Sequence, residues 1–368
     1  MRKTGTANLP LHPGKAPRWL FGRMVKLAGG ITEVIVDEYG SPEFLKRLSD
    51  PFWFQAFSCV LGYDWHSSGT TTVTCGALKE ALKKENIGIG VAGGKGSASR
   101  RSPQEIEEIS NGFSLPTKKI SELQYSSRMA AKVDNTALQD GYQLYHHAFI
   151  FTGKGDWAVI QQGMNEAERY ARRYHWLSIG LKGFVEEPHS AICSQRFEEA
   201  ALDMTARQSA DARKISVDLA NESPSRIVKF FTGQSSVNDF LKKEDARLHL
   251  PPGHMIKDMK RINIETLRKA YEIQPKSYEE LLAIGGVGPK VVRSLALISD
   301  LVYGKPPSWK DPARYSFAHG GKDGIPYPVD RQTYDQSIEL LSKAINKAHL
   351  GISEQKDCFR RLNQMRLD

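Results

Sequence analysis

Residues 277–303 read Ser-Tyr-Glu-Glu-Leu-Leu-Ala-Ile-Gly-Gly-Val-Gly-Pro-Lys-Val-Val-Arg-Ser-Leu-Ala-Leu-Ile-Ser-Asp-Leu-Val-Tyr, and this stretch predicts two helices joined by a glycine turn. Ser277 and Glu280 have the spacing of a capping box, which starts the first helix. Gly286 and Gly288 predict the turn, and Pro289 suits the first turn of the second helix. Apolar residues supply the packing between the two helices: Leu281, Leu282, Ile284, Val287, Val291, Leu295 and Ile298.

The predicted turn has the chemistry of a phosphate-binding site. Glycines let the backbone approach a phosphate without an intervening Cβ atom. The free amides at the start of the second helix attract an anion, and the helix dipole adds to that attraction. We therefore predict that the DNA backbone is bound by Gly286, Val287, Gly288, Lys290 and Arg293. Such contacts carry no base-sequence information. The alternative is an ordinary helical hairpin with a glycine turn.

This stretch resembles the helix-hairpin-helix motif of DNA-repair proteins, in particular base-excision glycosylases of the endonuclease III and 8-oxoguanine glycosylase superfamily. The hairpin is followed here by Tyr327-Pro-Val-Asp330, which is similar to the 8-oxoguanine branch. The resemblance implies a DNA glycosylase or abasic-site lyase that needs no cofactor. It assigns Lys290 as the Schiff-base nucleophile and Asp330 as the carboxylate that stabilises charge on the sugar. Alternatively, Lys290 contacts a phosphate and Asp330 caps a helix over residues 331–345.

Aromatic residues are frequent around the segment that separates the hairpin from Asp330. Beside a glycine pair, they could stack on a flipped base or fill the gap that it leaves. The candidates for this base pocket or wedge are Trp309, Tyr315, Phe317, His319 and Tyr327. A surface loop packed by its own side chains explains the same composition.

The fold class predicted for the whole chain is α+β. Residues 1–185 are interpreted as a mixed α/β domain, and residues 186–368 as an all-α domain that carries the hairpin and is similar to the glycosylases. The chain as a whole also resembles an uncharacterised family typical of archaea and thermophiles.

Local patterns predict several elements on either side of this boundary. Alternation over Ile31–Val36 predicts a strand, and the β-rich runs on either side of residues 153–155 predict a β-hairpin. Residues 166–177 predict a helix with its arginines on one side. Residues 88–101 predict a flexible basic loop. Residues 194–219 predict one long helix.

The first part also contains scattered acids and histidines, which suggest a rival function. Carboxylates at strand ends can bind Mg²⁺ or Mn²⁺, as in metal-dependent nucleases. The candidate ligands are Asp64, His66, Asp134, Asp140 and Asp156. No fixed-spacing motif connects them, so structural roles are the alternative. A second rival is a non-catalytic protein that binds damaged or branched DNA.

Charge and composition narrow the functional classes. The net charge of +9 favours a polyanionic partner, although solubility alone also accounts for it. The four cysteines form no Cys-x-x-Cys pair, which argues against a zinc knuckle or an iron–sulfur cluster and favours buried free thiols. No apolar run is long enough for a transmembrane helix, and the basic start has no secretory apolar stretch. We therefore expect a cytoplasmic protein without membrane partners.

Overall fold

The computed structural model describes residues 16–63, 69–83, 87–167, 169–194, 197–227, 264–313, 331–347 and 351–363. Its helices are α1 (Arg18–Tyr39), α2 (Ser41–Ser49), α3 (Pro51–Val60), α4 (Gly69–Leu82), α5 (Ser102–Gly112), α6 (Thr117–Lys132), α7 (Ala210–Ala220), α8 (Ile264–Ile273), α9 (Tyr278–Ala283), α10 (Pro289–Tyr303), α11 (Arg331–Lys347) and α12 (Ile352–Asn363). Its strands are β1 (Ile89–Lys95), β2 (Leu138–Gln139), β3 (Gln143–Thr152), β4 (Trp157–Asn165), β5 (Tyr170–Leu177), β6 (Ala191–Cys193) and β7 (Leu202–Asp203).

Five strands form one antiparallel sheet in the order β1-β3-β4-β5-β6, and β2 pairs with β7 apart from it. Apolar residues occupy both faces of the main sheet because helices cover both. The face toward α1–α4 carries Ala148, Ile150, Ala158 and Ile160. The face toward α5–α10 carries Phe149, Phe151, Trp157 and Val159. The sheet therefore lies between two helical layers, and the hairpin belongs to the second layer.

Contacts cross the predicted domain boundary between residues 185 and 186. β6 completes the main sheet, and β7 pairs with β2. Near the end of the chain, Leu341, Ile345 and Leu362 of α11 and α12 join the core that α1–α4 form. The mixed helix-and-sheet class is confirmed, whereas the division into two domains stays a prediction. None of the helices in the described part of the chain is long and apolar enough to span a membrane.

The predicted β-hairpin is confirmed as β3 and β4, but the strand predicted over Ile31–Val36 is wrong. That segment lies inside α1, where Ile31 and Ile35 are buried with Met24 and Leu27. Their spacing of three and four residues matches a helix that faces the core. The helical spacing of apolar residues over the longer stretch therefore determines the structure, and the short apolar alternation within residues 31–36 does not.

The helix predicted over residues 166–177 is also wrong, because residues 170–177 form β5. Successive side chains of a strand lie on opposite faces, so Arg172 and Arg173 are separated by the sheet. Both side chains are fully buried. These arginines therefore do not line one side of a helix.

Two further segments differ from their predictions. Residues 88–101 form β1 and a 3₁₀ helix (Gly96–Arg101) rather than a loop, and the Gly93 amide donates to the Glu105 carboxylate at 2.7 Å. Residues 194–219 include β7 before α7 begins at Ala210, so they are not one long helix. Both segments contain a strand whose pairing partner is distant in sequence. Local composition does not report such pairing, and both predictions were therefore wrong.

Candidate nucleic-acid interface

The predicted pair of helices is present as α9 and α10. Ser277 caps α9 by accepting a hydrogen bond from the Glu280 amide at 3.1 Å, and the Glu280 carboxylate accepts one from the Lys276 amide at 2.8 Å. The apolar residues predicted to pack the helices are all buried: Leu281, Leu282, Ile284, Val287, Val291, Leu295 and Ile298. The hairpin is therefore anchored through its apolar side and leaves its turn at the surface.

The two glycines of the turn have different structural roles. Gly286 has a φ of +95°, and a Cβ atom added there would lie 2.7 Å from the Thr266 hydroxyl of α8. Gly288 has a φ of −116° as the residue that precedes α10, and the nearest atom to an added Cβ is 3.9 Å away. The fold thus requires glycine at position 286 and has room for a side chain at position 288.

We expect Gly286→Ala to destabilise the protein by about 1–3 kcal/mol, because the left-handed conformation and the contact with Thr266 both penalise a Cβ atom. Gly288→Ala serves as the matched control and is expected to change the free energy of unfolding by less than about 1 kcal/mol. Urea unfolding of the two variants measures the difference. Equal stability losses would contradict the roles assigned to the two glycines.

The turn presents backbone donors to solvent. The Val287 amide is used internally, since it donates to the Ile284 carbonyl at 3.2 Å, and the Val292 amide donates to the Gly288 carbonyl at 3.1 Å. None of the hydrogen bonds among the described residues uses the amides of Gly286, Gly288 or Lys290. Gly286 and the Lys290 side chain are exposed. The amides of Gly288 and Lys290 lie at the positive end of α10, which is the arrangement that binds anions.

Gln139 of β2 holds the start of α10 in place. Its amide nitrogen donates to the Pro289 carbonyl at 2.9 Å and to the Thr136 carbonyl at 3.0 Å. Its amide oxygen accepts from Nε of Arg293 at 2.8 Å. Arg293, predicted to bind DNA, is thus half-buried and engaged within the protein. No local pattern identifies Gln139, because it lies 150 residues from Pro289 along the chain.

Helix α6 and the π-helical turn that follows it (Val133–Ala137) also contact the hairpin. The Tyr125 hydroxyl donates to the Glu279 carboxylate of α9 at 2.7 Å. Burial and this neighbouring carboxylate raise the pKa of Tyr125 above its usual range. One continuous segment, residues 125–139, therefore contacts the hairpin near the start of each of its two helices.

The other predicted site residues are only partly within the described chain. Trp309 is half-buried against the core of the second layer, and its carbonyl accepts from the Ala201 amide at 3.0 Å. The remaining candidates lie outside the described residues: Asp330, Tyr315, Phe317, His319, Tyr327, Asp64 and His66. Their assignments stay predictions.

Two of the carboxylates proposed as metal ligands, Asp134 and Asp140, are engaged by protein donors. Asp134 is fully buried and accepts hydrogen bonds from Gln161 at 2.5 Å, Trp176 at 2.9 Å and His189 at 2.5 Å. Asp156 is half-buried in the turn between β3 and β4. Within the described ranges, no group of three or more His, Cys, Asp or Glu side chains is arranged to hold a metal ion.

Asp140 belongs to a buried charge network on the same face of the sheet. Nη1 of Arg172 donates to Asp140 at 2.9 Å, and the guanidinium also pairs with both carboxylate oxygens of Asp311 at 2.9 and 2.6 Å. The Tyr174 hydroxyl donates to Asp140 at 2.7 Å. Burial raises the pKa of Asp140, and Arg172 opposes that increase. Sequence reasoning missed this network because Arg172 was assigned to a helix rather than to a strand.

A second polar group crosses the opposite face of the sheet. Five residues are paired with one another across the five neighbouring strands of the sheet: Lys95, His146, Gln162, Arg173 and Cys193. Arg173 lies 4.5 Å from the ring centroid of Phe54, and burial lowers its pKa to about 10. Burial also raises the pKa of the Cys193 thiol to about 12. The expectation of buried free thiols is confirmed for all four cysteines.

Comparison with known protein families gives one match, and it covers nearly the whole chain. Residues 5–329 match the family described as "Protein of unknown function (DUF763)". This match includes the hairpin, and no glycosylase family matches, so the expectation that the C-terminal part belongs to the helix-hairpin-helix glycosylase superfamily is wrong. No curated protein and no solved structure shows a significant match to the chain.

Proposed function

The chain belongs to the DUF763 family of proteins of unknown function, and we propose that it binds the phosphate backbone of DNA through the turn between α9 and α10. The observation that carries this proposal is the set of amides at Gly286, Gly288 and Lys290, which no hydrogen bond among the described residues uses, beside the exposed Lys290 side chain. Those donors match the oxygens of a phosphodiester in charge and in hydrogen-bonding type.

The physical properties of the turn favour a backbone ligand over a base-specific one. Amide donors at a helix start bind an anion whatever base it carries, so the proposed binding is independent of sequence. The net charge of +9 adds a long-range attraction for a polyanion. Both contributions are electrostatic, and the affinity therefore falls steeply as salt is added.

The engaged carboxylates favour DNA binding over the metal-dependent nuclease. Asp134 and Asp140 each accept hydrogen bonds from several protein donors, and Asp140 also pairs with Arg172. A divalent cation needs carboxylate oxygens that are available as ligands. DNA cleavage by the wild type that is lost on addition of EDTA would support the metal-dependent nuclease instead.

Catalysis by Lys290 and Asp330 stays a prediction. Borohydride reduction in the presence of abasic-site DNA traps a lysine Schiff base as a covalent adduct. An adduct formed by the wild type and lost in Lys290→Gln would support a lyase. Trapping that is unchanged in Lys290→Gln would remove Lys290 as the nucleophile and leave it as a phosphate contact.

We expect Lys290→Gln to lower the affinity for a double-stranded oligonucleotide by roughly 3- to 10-fold, since one cation beside the phosphate is removed. The slope of log K against log salt should become shallower by about 0.9, the value for one phosphate contact. Fluorescence anisotropy over a salt series measures both quantities.

The matched control is Lys46→Gln, which removes the same charge from α2 in the helical layer on the other side of the sheet. The control should bind DNA within about twofold of the wild type, because its charge lies far from the turn. Equal affinities and equal slopes for the two variants, or a wild-type protein that binds no DNA, would contradict the proposed function.

A further inference from the structure

The first turn of α1 carries a tryptophan that the rest of the protein leaves in solvent. Trp19 is 65% exposed, although apolar residues further along the same helix, such as Met24 and Leu27, are buried in the core. No described residue other than its chain neighbours places a side chain within 4 Å of a Cβ atom added at Gly22, one turn further along. A single exposed apolar side chain is common on protein surfaces, so its neighbours decide what it can bind.

The neighbours of Trp19 on this helix are cations. Arg23 follows Trp19 by four residues and Lys26 follows Arg23 by three, which places them on one face of α1 with Arg18 beside them. Cζ of Arg23 lies 5.3 Å from the centroid of the Trp19 ring. All three basic side chains are exposed, and among the described residues only Lys26 forms an ion pair, with Glu354 of α12 at 3.1 Å. The face therefore combines an accessible aromatic ring with excess positive charge.

The charge around this face is also positive. A Cβ atom added at Gly62 would lie 3.4 Å from Leu20 of α1 and 3.6 Å from the guanidinium of Arg361, so α12 brings a further cation to this end of α1. The first turn of α1 contains no acidic residue. Residues 1–15, which precede the helix in the sequence, contain three basic residues and no acidic residue. Like charges repel, so that segment is a poor ligand for this face and a polyanion is a good one.

We propose that the face of α1 formed by Arg18, Trp19, Arg23 and Lys26 binds single-stranded DNA. The Trp19 ring stacks on a base, and the neighbouring cations bind the phosphates on either side of it. Exposed aromatic rings beside basic side chains are the groups with which proteins hold single strands without reading their sequence. The ligand is a single strand because the bases of a duplex are already stacked on one another.

This surface is separate from the hairpin turn. Helix α1 packs in the layer that α1–α4 form, whereas the hairpin belongs to the layer on the opposite face of the sheet. The inference therefore goes beyond the proposed function, since it adds a second surface and a second form of DNA. It does not depend on the hairpin amides.

The packing of α1 argues against a membrane surface as the partner. A helix that lies in a membrane interface inserts a continuous apolar face. The apolar face of α1 is buried in the core of the protein and includes Met24, Leu27, Ile31 and Ile35. Trp19 and Tyr39, near opposite ends of the helix, are the large apolar side chains of α1 that remain exposed. One ring at the start of the helix suits stacking on a base better than insertion into lipid.

The test compares Trp19→Ala with Tyr303→Ala, which removes another exposed aromatic ring at the end of α10. Trp19→Ala should weaken the binding of oligo(dT) by roughly 5- to 30-fold, the effect of losing one stacked base. Tyr303→Ala should stay close to the wild type. Arg23→Gln should make the slope of log K against log salt shallower by about 0.7, the value for one phosphate of a single strand. Thermal unfolding checks that these surface variants remain folded.

An abasic oligonucleotide of the same length separates stacking from charge. The wild type should bind oligo(dT) more tightly than the abasic strand, and Trp19→Ala should bind the two equally. A wild type without this preference, or a Trp19→Ala variant that retains it, would overturn the inference. Binding of phosphatidylserine vesicles that is lost in Trp19→Ala, with oligo(dT) binding unaffected, would assign the surface to a membrane instead.

The outcomes also separate this inference from the proposed function. If Lys290→Gln weakens duplex binding and Trp19→Ala leaves oligo(dT) binding unchanged, the hairpin remains the DNA site and the α1 surface is not one. If Trp19→Ala removes the preference for oligo(dT) and Lys290→Gln leaves duplex affinity unchanged, the α1 surface stands and the proposed function fails.

Discussion

Arg172→Met is expected to destabilise the protein by about 3–5 kcal/mol, because it leaves two buried carboxylates without their cation. Arg172 is fully buried and pairs with Asp140 and Asp311, whose side chains are almost completely buried. Its ring-stacking contact with Tyr142, 4.5 Å from the centroid, is lost as well. Chemical denaturation at neutral pH measures the loss. Arg207→Met is the control, since among the described residues Arg207 forms ion pairs only with Glu186 and Glu187, and all three side chains are exposed.

The pH dependence of Arg172→Met identifies the cause of its instability. Without the guanidinium, burial and mutual repulsion hold the pKa of Asp140 further above the value in the unfolded chain. A group whose pKa is raised by folding destabilises the fold most at high pH, and the penalty is relieved as the carboxyl becomes protonated. The deficit relative to the wild type should therefore shrink between neutral pH and about pH 4. A deficit that is constant over this range would indicate lost packing rather than unpaired charge.

The hairpin could be predicted from sequence because its determinants are local. A cap at Ser277, a glycine that must adopt a positive φ at position 286 and a proline at position 289 all lie within thirteen residues. Each of these acts through its own backbone conformation or that of its immediate neighbours. No distant partner is needed to specify the turn, and the prediction of its shape was therefore accurate.

The strand β5 could not be predicted because its surroundings determine it. Residues 170–177 contain two arginines and a histidine, which read as a polar helix when taken alone. In the fold, β4 and β6 pair with this strand, and the buried guanidinium of Arg172 forms an ion pair with Asp311 from another segment. Asp311 is 139 residues from Arg172, and a single sequence does not report a contact at that distance. Tertiary pairing overrides the local preference here.

The candidate site shows the same division between local and distant information. Its amides and Lys290 were predicted from the motif, while Gln139 was missed. Gln139 acts through the packing of α6 and the π turn against the hairpin. Arg293 was assigned to DNA by its position after the turn, yet its Nε donates to Gln139. A motif therefore predicts which backbone groups can bind a ligand. Whether a nearby side chain can also bind one depends on its contacts with neighbouring elements.

His146→Met is expected to make the protein more stable than the wild type in acid, by about 2–3 kcal/mol near pH 4.5. The His146 side chain is fully buried, and neither ring nitrogen has a hydrogen-bond partner within the part of the chain that the structure describes. Burial, with His147 and Lys95 nearby, lowers its pKa from 6.5 to about 3. A methionine fills a similar volume and leaves no buried polar atom unsatisfied.

The sign follows from proton binding in the two states. Between pH 6.5 and about 3, His146 is protonated in the unfolded chain and neutral in the fold, so the free energy of unfolding falls as the pH falls, by about 1.4 kcal/mol per pH unit. Urea unfolding at several pH values should show this slope in the wild type and a smaller slope in His146→Met.

His147→Met provides the matched comparison on the opposite face of the same strand. Burial also lowers the pKa of His147, but its ring is hydrogen-bonded to Ser127 and Gln161 at 2.8 Å each. This variant should reduce the acid slope too, yet lose stability at neutral pH because those partners are left unsatisfied. His146→Met should not lose stability at neutral pH, because its ring nitrogens have no partners to leave unsatisfied. An equal loss of stability in the two variants at neutral pH would contradict this assignment.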